Sequence, residues 1–205
     1  MKKIFGLFVL SFVFFGMMLF VTKVEAFEVE TDPSEPVNYG IYLAPKFVYS
    51  FYTGDYITNS RFSGQTQSGT TSAGGGLALG YDFYRFYDIP VRIELEYLMR
   101  GDANFDVNGR TMKAAAPKTL FSNLYLDYQT DSRLVPYLTG GAGVSFIDTQ
   151  TSFAWNLGTG IRYTLSENVD LDLSAKYINY GRYDLYDYTT NLNAIETAFG
   201  VSYTF

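Results

Sequence analysis

Eight segments of the chain alternate between apolar and polar or small side chains, and this period of two constrains the fold more than any other feature. In the third segment Val91, Ile93 and Leu95 occupy one face, while Arg92 and Glu94 occupy the other. Successive side chains of a strand point to opposite faces, so each segment is predicted to be a strand with one apolar and one polar face. The predicted strands are residues 39–52, 73–85, 90–101, 117–129, 134–146, 151–163, 169–180 and 192–205.

The connections between these segments alternate in length. Three connections are short: 85–89, 129–133 and 164–168. The connections that alternate with them include three long ones: 52–72, 102–116 and 181–191. The link 147–150 is also short, but it falls on the same side as the long ones. Short periplasmic turns with longer external loops are typical of transmembrane β-barrels. The alternation therefore predicts an all-β fold, an eight-stranded antiparallel up-and-down transmembrane β-barrel. A soluble sandwich also buries one face of each strand, but it would normally place the charges outward.

The two ends of the chain favour the membrane barrel. Lys2 and Lys3 precede an apolar stretch over residues 4–21, and Ala26 closes a suitable cleavage site, so residues 1–26 are predicted to be a signal peptide. An uncleaved membrane anchor is the alternative, because the stretch is nearly long enough to span. Residues 27–38 are acidic and contain two prolines, which predicts a short periplasmic lead-in before a barrel domain over residues 39–205. At the other end of the chain, the last predicted strand ends on the aromatic residues Tyr203 and Phe205, and this ending also favours the barrel.

Composition excludes several classes of function. The chain has no cysteine and no histidine, which rules out thiolate chemistry, a typical zinc site and a histidine-based hydrolase. Without residues 1–26 it has 12 basic and 20 acidic residues, and this net charge of -8 opposes binding to nucleic acid. The 19 Tyr and 18 Phe suit aromatic girdles at the two membrane interfaces.

Several stretches, in this order and spacing, resemble the small eight-stranded outer-membrane proteins grouped with opacity proteins and related surface antigens. They are residues 76–82, 91–97, 123–127, 136–143, 153–161 and 171–177. The resemblance implies the outer membrane of a Gram-negative bacterium, a terminal aromatic strand (Tyr203, Phe205) read by the barrel assembly machinery, and loops that choose the partner. The loops themselves match no pattern of this family.

The polar faces are predicted to point into the lumen and to carry a network of charges. Its members are Lys46, Asp82, Arg92, Glu94, Glu96, Asp127, Arg162, Asp170, Asp172, Lys176 and Glu196. Hairpin neighbours predict the pairs Asp82–Arg92, Arg162–Asp170 and Lys176–Glu196, which would plug a bore about as wide as the side chains that fill it. Glu94 and Glu96 share a face, as an acid–base pair could, but a salt-bridge network is favoured. We expect no enzyme, no cofactor and no metal site, although carboxylate-only calcium binding at residues 102–106 is left open.

The long loops are where a partner would bind. Tyrosine and arginine carry much of the energy of binding surfaces, and the candidates are Tyr52, Tyr56, Arg61, Arg182, Tyr183 and Tyr186. Together with the resemblance to opacity proteins and related surface antigens, these residues favour a surface protein in outer-membrane lipid that acts in adhesion or in host or envelope interaction, with a host or matrix ligand. The protein is expected to be a monomer by default. Two alternatives are a purely structural barrel and a narrow pore that prefers cations, because seven of the eleven lumen charges are acidic.

Overall fold

The computed structural model describes residues 40–57, 67–107, 110–114, 117–185 and 188–205. Within these residues, ten strands and one short helix follow one another. They are β1 (Ile41–Ile57), β2 (Gln67–Asp82), α1 (Tyr84–Tyr87), β3 (Val91–Arg100), β4 (Ala103–Val107), β5 (Arg110–Ala114), β6 (Lys118–Asp127), β7 (Leu134–Ile147), β8 (Gln150–Thr164), β9 (Val169–Leu185) and β10 (Tyr188–Thr204). Within the described part of the chain, no helix has the length and apolar character needed to cross a membrane.

Eight of the strands form one closed antiparallel barrel, in the order β1, β2, β3, β6, β7, β8, β9 and β10. The first and last strands close it, and the Phe205 backbone N–H donates to the Ile41 carbonyl at 2.9 Å. The remaining two, β4 and β5, pair with each other in the link between β3 and β6. The predicted eight-stranded up-and-down barrel is therefore confirmed.

The two faces of the barrel wall have opposite character. The outer face exposes large apolar side chains such as Leu138 and Leu157, which are 61% and 63% exposed. Aromatic pairs lie toward both rims: Tyr49 packs edge-on against Phe51, and Tyr203 packs edge-on against Phe205. Most of the charged side chains along the wall, such as Arg92, Glu94 and Glu96, lie inside and are buried. An apolar exterior around a charged interior suits lipid outside, and it excludes the soluble sandwich.

The strands continue further than the alternation predicts at the end with the long links. The predicted link 52–72 is strand as far as Ile57 and again from Gln67, and the predicted link 181–191 is mostly a hairpin that β9 and β10 form. The link 102–116 contains β4 and β5. Backbone ladders do not require apolar side chains, so pairing extends past the point where the apolar face ends. At the other end β2 stops at Asp82, before the predicted residue 85, because α1 begins there.

Candidate functional site

The middle of the lumen is filled by two lysines around two glutamates. Lys46 Nζ contacts Glu94 and lies 2.7 Å from Glu96, while Lys176 Nζ lies 3.1 Å from Glu96. The Tyr125 hydroxyl donates to Glu94 at 2.8 Å. Each of these four charged side chains is at most 6% exposed. Opposite charges at this distance offset the cost of taking each other out of water.

A second layer lies toward the end with the short turns. Arg92 donates to both carboxylate oxygens of Asp127, at 2.8 and 2.9 Å, in the two-pronged geometry that favours arginine. Arg162 connects this pair to Asp82, because its two terminal nitrogens lie 3.0 Å from Asp127 and 2.7 Å from Asp82. The Arg92 guanidinium also stacks 4.6 Å from the centre of the Tyr125 ring.

A third layer lies toward the opposite end and depends on an arginine that the predicted network lacks. Arg100 donates to both oxygens of Glu196, at 2.5 and 2.9 Å, and to the Thr119 hydroxyl at 3.0 Å. The Ser50 hydroxyl donates to Glu196 at 2.5 Å. The sequence does contain a signal for Arg100, because this residue continues the even-numbered, inward face of β3 that includes Arg92. Arg100 lies at the end of the strand, however, where the alternation does not distinguish a lumen residue from a loop residue.

The structure places the predicted lumen charges inside the barrel. Nine of the eleven residues are buried as a whole. Lys46 is half-buried as a residue, but its side chain is only 6% exposed. Asp172 is half-buried and accepts a hydrogen bond from the Tyr137 hydroxyl at 2.7 Å. The predicted pairing is wrong, however. Among the described residues the carboxylates pair instead as Arg92–Asp127, Arg162–Asp82, Arg85–Asp170, Lys176–Glu96 and Arg100–Glu196.

The reason lies in the width of the barrel. Asp82 and Arg92 do stand opposite each other in the β2–β3 register, as do Lys176 and Glu196 between β9 and β10. Side chains of direct neighbours project side by side into a lumen that eight strands make only about as wide as those side chains. Long arginine and lysine chains therefore reach acids on other strands, and each acid can accept from several donors.

Two of the predicted partner-binding tyrosines face the lumen instead of solvent. Tyr52 and Tyr183 are 1% and 2% exposed, so their assignment to an accessible loop surface is wrong. Tyr52 packs against Tyr180 with ring centres 6.0 Å apart, and the Tyr183 hydroxyl contacts that of Ser145. They belong to a buried cluster that caps the lumen above the Arg100–Glu196 layer, which we call the aromatic cap: Tyr52, Phe121, Ala154, Ile178, Tyr180, Tyr183 and Ala194.

A bulge in β9 explains the inward position of Tyr183. Asn179 pairs with Asn193 and Gly181 pairs with Leu192, so Tyr180 is an extra residue that has no paired residue on β10. Gly181 has a φ of +88°, a left-handed conformation that glycine adopts without strain. The extra residue shifts the alternation by one position, so that Tyr180 and Tyr183 both point inward. Nothing in a strict period of two signals this shift.

The other partner-binding candidates have different placements. Arg182 is exposed at the far end of β9. Tyr56 lies in the extended part of β1, opposite Thr190 of β10. Arg61 and Tyr186 lie outside the described residues. The accessible candidate that the structure describes is therefore Arg182.

Comparison with known proteins places this architecture in a family. The model of the outer membrane protein β-barrel domain matches residues 44–205, which is the barrel almost in full. The chain belongs to this family. It is an outer-membrane β-barrel of Gram-negative bacteria, and the short turns consequently face the periplasm.

A relative and two solved barrels are similar to this member of the family. Outer membrane protein PagN of Salmonella typhimurium strain LT2 is 26% identical over 173 residues, which cover 64% of this chain and 72% of PagN. Neisserial surface protein A has a TM-score of 0.57 at 18% identity, with 81% of this chain and 97% of that one covered. OprG of Pseudomonas aeruginosa has a TM-score of 0.52 at 18% identity, with 82% and 97% covered. At such identities the two structures show the fold alone.

The terminal aromatics of the outer-membrane barrel lie on its lipid face near the periplasmic rim. Tyr203 and Phe205 are 50% and 54% exposed, and their rings pack 5.3 Å apart. Recognition by the assembly machinery stays a prediction, as do the signal peptide and lead-in, which lie outside the described residues. Monomeric assembly also stays a prediction.

The chemistry that the lumen can perform follows from its ion pairs. Glu94 and Glu96 are each held by lysine and buried away from solvent, which suits packing and not proton exchange with a substrate. Within the described part of the chain, no three acidic side chains are grouped to hold a metal ion. The predicted calcium candidate at residues 102–106 stays a prediction, because the placement of most of those side chains is not described.

Proposed function

We propose that this barrel acts in adhesion, and that it binds a host, matrix or envelope ligand through its extracellular rim. The observation that carries the proposal is a filled lumen beneath a rim raised above the membrane. A barrel of this kind exposes a surface that other molecules can bind, but its filled lumen gives solutes no path through the membrane.

The raised rim follows from the lengths of the strands. β1, β9 and β10 each have 17 residues, and β2 has 16. A tilted strand needs only about 9–11 residues to cross a bilayer. Among the side chains that the structure describes, Phe51 is the last apolar one on the outer face of β1, and the strand continues through Thr53, Gly54 and Asp55. The surplus residues therefore extend outward from the cell, and they support an exposed binding surface.

The filled lumen argues against the alternative of a pore. Three layers of ion pairs and the aromatic cap occupy the bore between its two ends. A conducting path would need these buried pairs to separate, which leaves charges without partners in a narrow space. This supports a surface role over conduction.

The chemistry of the rim and the family resemblance give further support. Arg182 is exposed at the far end of β9, within the tyrosine-rich stretch 181–191. Arginine and tyrosine are enriched among residues that dominate binding energy. The resemblance to opacity proteins and related surface antigens points to loops as the site of partner choice.

Cell attachment tests the proposal. The full protein would be displayed at equal surface levels beside a variant in which a shorter Gly/Ser linker replaces residues 58–66 and Arg182→Ala is added. The control is Arg133→Ala, which removes an exposed arginine from a periplasmic turn. We expect the rim variant to lose binding to host cells, matrix proteins or neighbouring bacteria while the control keeps it. If the wild-type protein attaches to none of these, the structural barrel becomes the better account.

A further inference from the structure

The lipid-facing side of β9 becomes polar where the strand leaves the membrane on the extracellular side. Apolar side chains occupy its outer face over residues 169–177, and Asn179 is the next outward residue. A tilted strand crosses the hydrocarbon layer in about 9–11 residues. The Trp155 and Tyr177 rings pack 5.6 Å apart just before this point, and such rings are enriched where a protein meets the membrane surface. Asn179 therefore lies at the level of the outer-leaflet headgroups.

Three asparagines form a hydrogen-bonded patch at this level, which we call the amide patch. Asn179 Nδ2 donates to Asn193 Oδ1 at 2.7 Å and to Asn191 Oδ1 at 3.4 Å. The residues that follow two of them, Tyr180 and Ala194, belong to the aromatic cap inside the lumen, so the asparagines lie on the outer face. Amide groups facing hydrocarbon would be costly, but at the headgroup level they can exchange hydrogen bonds with a polar lipid.

Arg182 adds an exposed cation to the amide patch. It pairs with Asn191 in the β9–β10 register, and the Cβ atoms of such pairs are about 4.5–5.5 Å apart. The Arg182 backbone N–H donates to the Ser152 hydroxyl at 3.2 Å, and the Gly181 N–H donates to Asn179 Oδ1 at 3.0 Å, which fixes the backbone beneath the side chain. Among the described residues Arg182 forms no ion pair. An exposed guanidinium of this kind suits a phosphate, which it can bind with two parallel hydrogen bonds.

Lys118 supplies a second exposed cation on the same outer wall. It pairs with Phe146 of β7, and only β8 separates that strand from Arg182 on β9. Three strand spacings of about 4.8 Å place the two backbones on the order of 15 Å apart. Between them Phe146 and Phe153 are 36% and 51% exposed on the outer face. Two cations beside exposed apolar rings suit a ligand with an anionic head and apolar chains.

We propose that this wall, from Lys118 on β6 to Asn191 on β10, binds the phosphorylated sugar headgroup of an outer-leaflet glycolipid, the lipid A part of lipopolysaccharide. Lys118 and Arg182 pair with its phosphates, and the amide patch exchanges hydrogen bonds with its sugar hydroxyls. Phe146 and Phe153 contact its acyl chains. This lipid belongs to the barrel's own membrane, whereas an adhesive ligand comes from outside it, so the inference goes beyond adhesion and does not depend on it.

The single tryptophan of the chain can report this binding, because Trp155 pairs with Asn179 in the β8–β9 register. Lipid A would be titrated into the full chain in neutral detergent micelles while the Trp155 emission is recorded. We expect a saturable change, with binding at least about tenfold tighter than that of dephosphorylated lipid A, which loses the charge-assisted contacts. Phosphatidylglycerol has a phosphate but no sugar, and it should also bind about tenfold more weakly. Equal binding of lipid A and either comparison lipid, or no saturable change with lipid A, would overturn the assignment.

A pair of matched variants separates the site from the general charge of the protein. Arg182→Gln removes an exposed arginine beside the amide patch and should weaken lipid A binding about tenfold or more. Arg133→Gln makes the same change in an exposed periplasmic turn and should leave the affinity unchanged. Heat-dependent migration on a detergent gel would show that both variants are folded. Equal affinities of folded Arg182→Gln and Arg133→Gln for lipid A would refute the site, whether or not the protein attaches to cells.

Discussion

Individual charges inside the barrel owe their stability to partners on other strands. Glu196 receives two hydrogen bonds from Arg100 and one from Ser50, all in a buried setting. A buried ion pair adds little net stability over apolar residues of the same shape, but removing one partner leaves an uncompensated charge. Replacing Arg100 alone, Glu196 alone, or both residues together should therefore lower the free energy of unfolding by different amounts.

Arg100→Met is expected to lower the free energy of unfolding by about 3–5 kcal/mol, because Glu196 stays buried without its counter-charge. The double variant Arg100→Met with Glu196→Met should cost less than the sum of the two single variants. Urea unfolding in lipid vesicles would measure all three. Lys118→Met removes an exposed charge near the start of β6 and should change stability by no more than about 0.5 kcal/mol. Additive single costs would show that the pair is not coupled.

The sequence predicts which charges face the lumen, but it does not predict their partners. Alternation alone assigned Arg92, Glu94 and Glu96 to one face, and the structure places all three inside. Lys176 of β9, however, pairs with Glu96 of β3 across the lumen and not with Glu196 on the neighbouring strand β10. The face on which a side chain lies is a local property that follows the period of two along the strand. The choice of ion-pair partner depends instead on how far a long side chain reaches across a narrow lumen.

At the scale of strands, the bulge in β9 determines which tyrosines form the aromatic cap. Gly181 sustains a φ of +88°, and a Cβ at this position would clash with the Ser152 hydroxyl and the Phe153 carbonyl of β8. The shift in alternation that places Tyr180 and Tyr183 inside depends on this backbone conformation. The existence of the strands could be predicted from their alternation, but this irregularity could not, because glycine within a strand also fits plain close packing.

Gly181→Ala is expected to destabilise the barrel by about 1–3 kcal/mol, since a left-handed non-glycine residue is strained before the clash is added. Gly140→Ala is the matched control, because its Cβ would meet Leu157 only at an ordinary 3.7 Å. Unfolding midpoints in urea would compare the two variants. Near-UV circular dichroism should change for Gly181→Ala, as the tyrosine packing of the aromatic cap is disturbed. Equal midpoints would mean that β9 accommodates the side chain without the bulge.

For the whole molecule, the alternation of apolar and polar residues predicts eight strands with two faces, and the two ends of the chain favour the membrane barrel over a soluble sandwich. The alternative of a cation-preferring pore rested on seven acidic and four basic lumen residues. Arg100 in the lumen and Arg85 at its mouth raise the basic count to six, so most of the acidic excess is neutralised. The charge balance of a narrow lumen therefore argues for internal pairing and not for selectivity.

The barrel is expected to show no sustained ionic current when it is inserted into a planar lipid bilayer. Eight strands enclose a bore about as wide as its own side chains, and in this chain the Arg100–Glu196, Lys46–Glu96 and Arg92–Asp127 pairs fill successive levels of it. A large porin recorded in the same bilayer would confirm that the method detects open channels, and the heat-dependent gel shift would confirm that the barrel is folded. Discrete current steps with a preference for cations would contradict the filled lumen. They would make the pore the leading function in place of adhesion, because ions would then have to pass all three levels of paired charge.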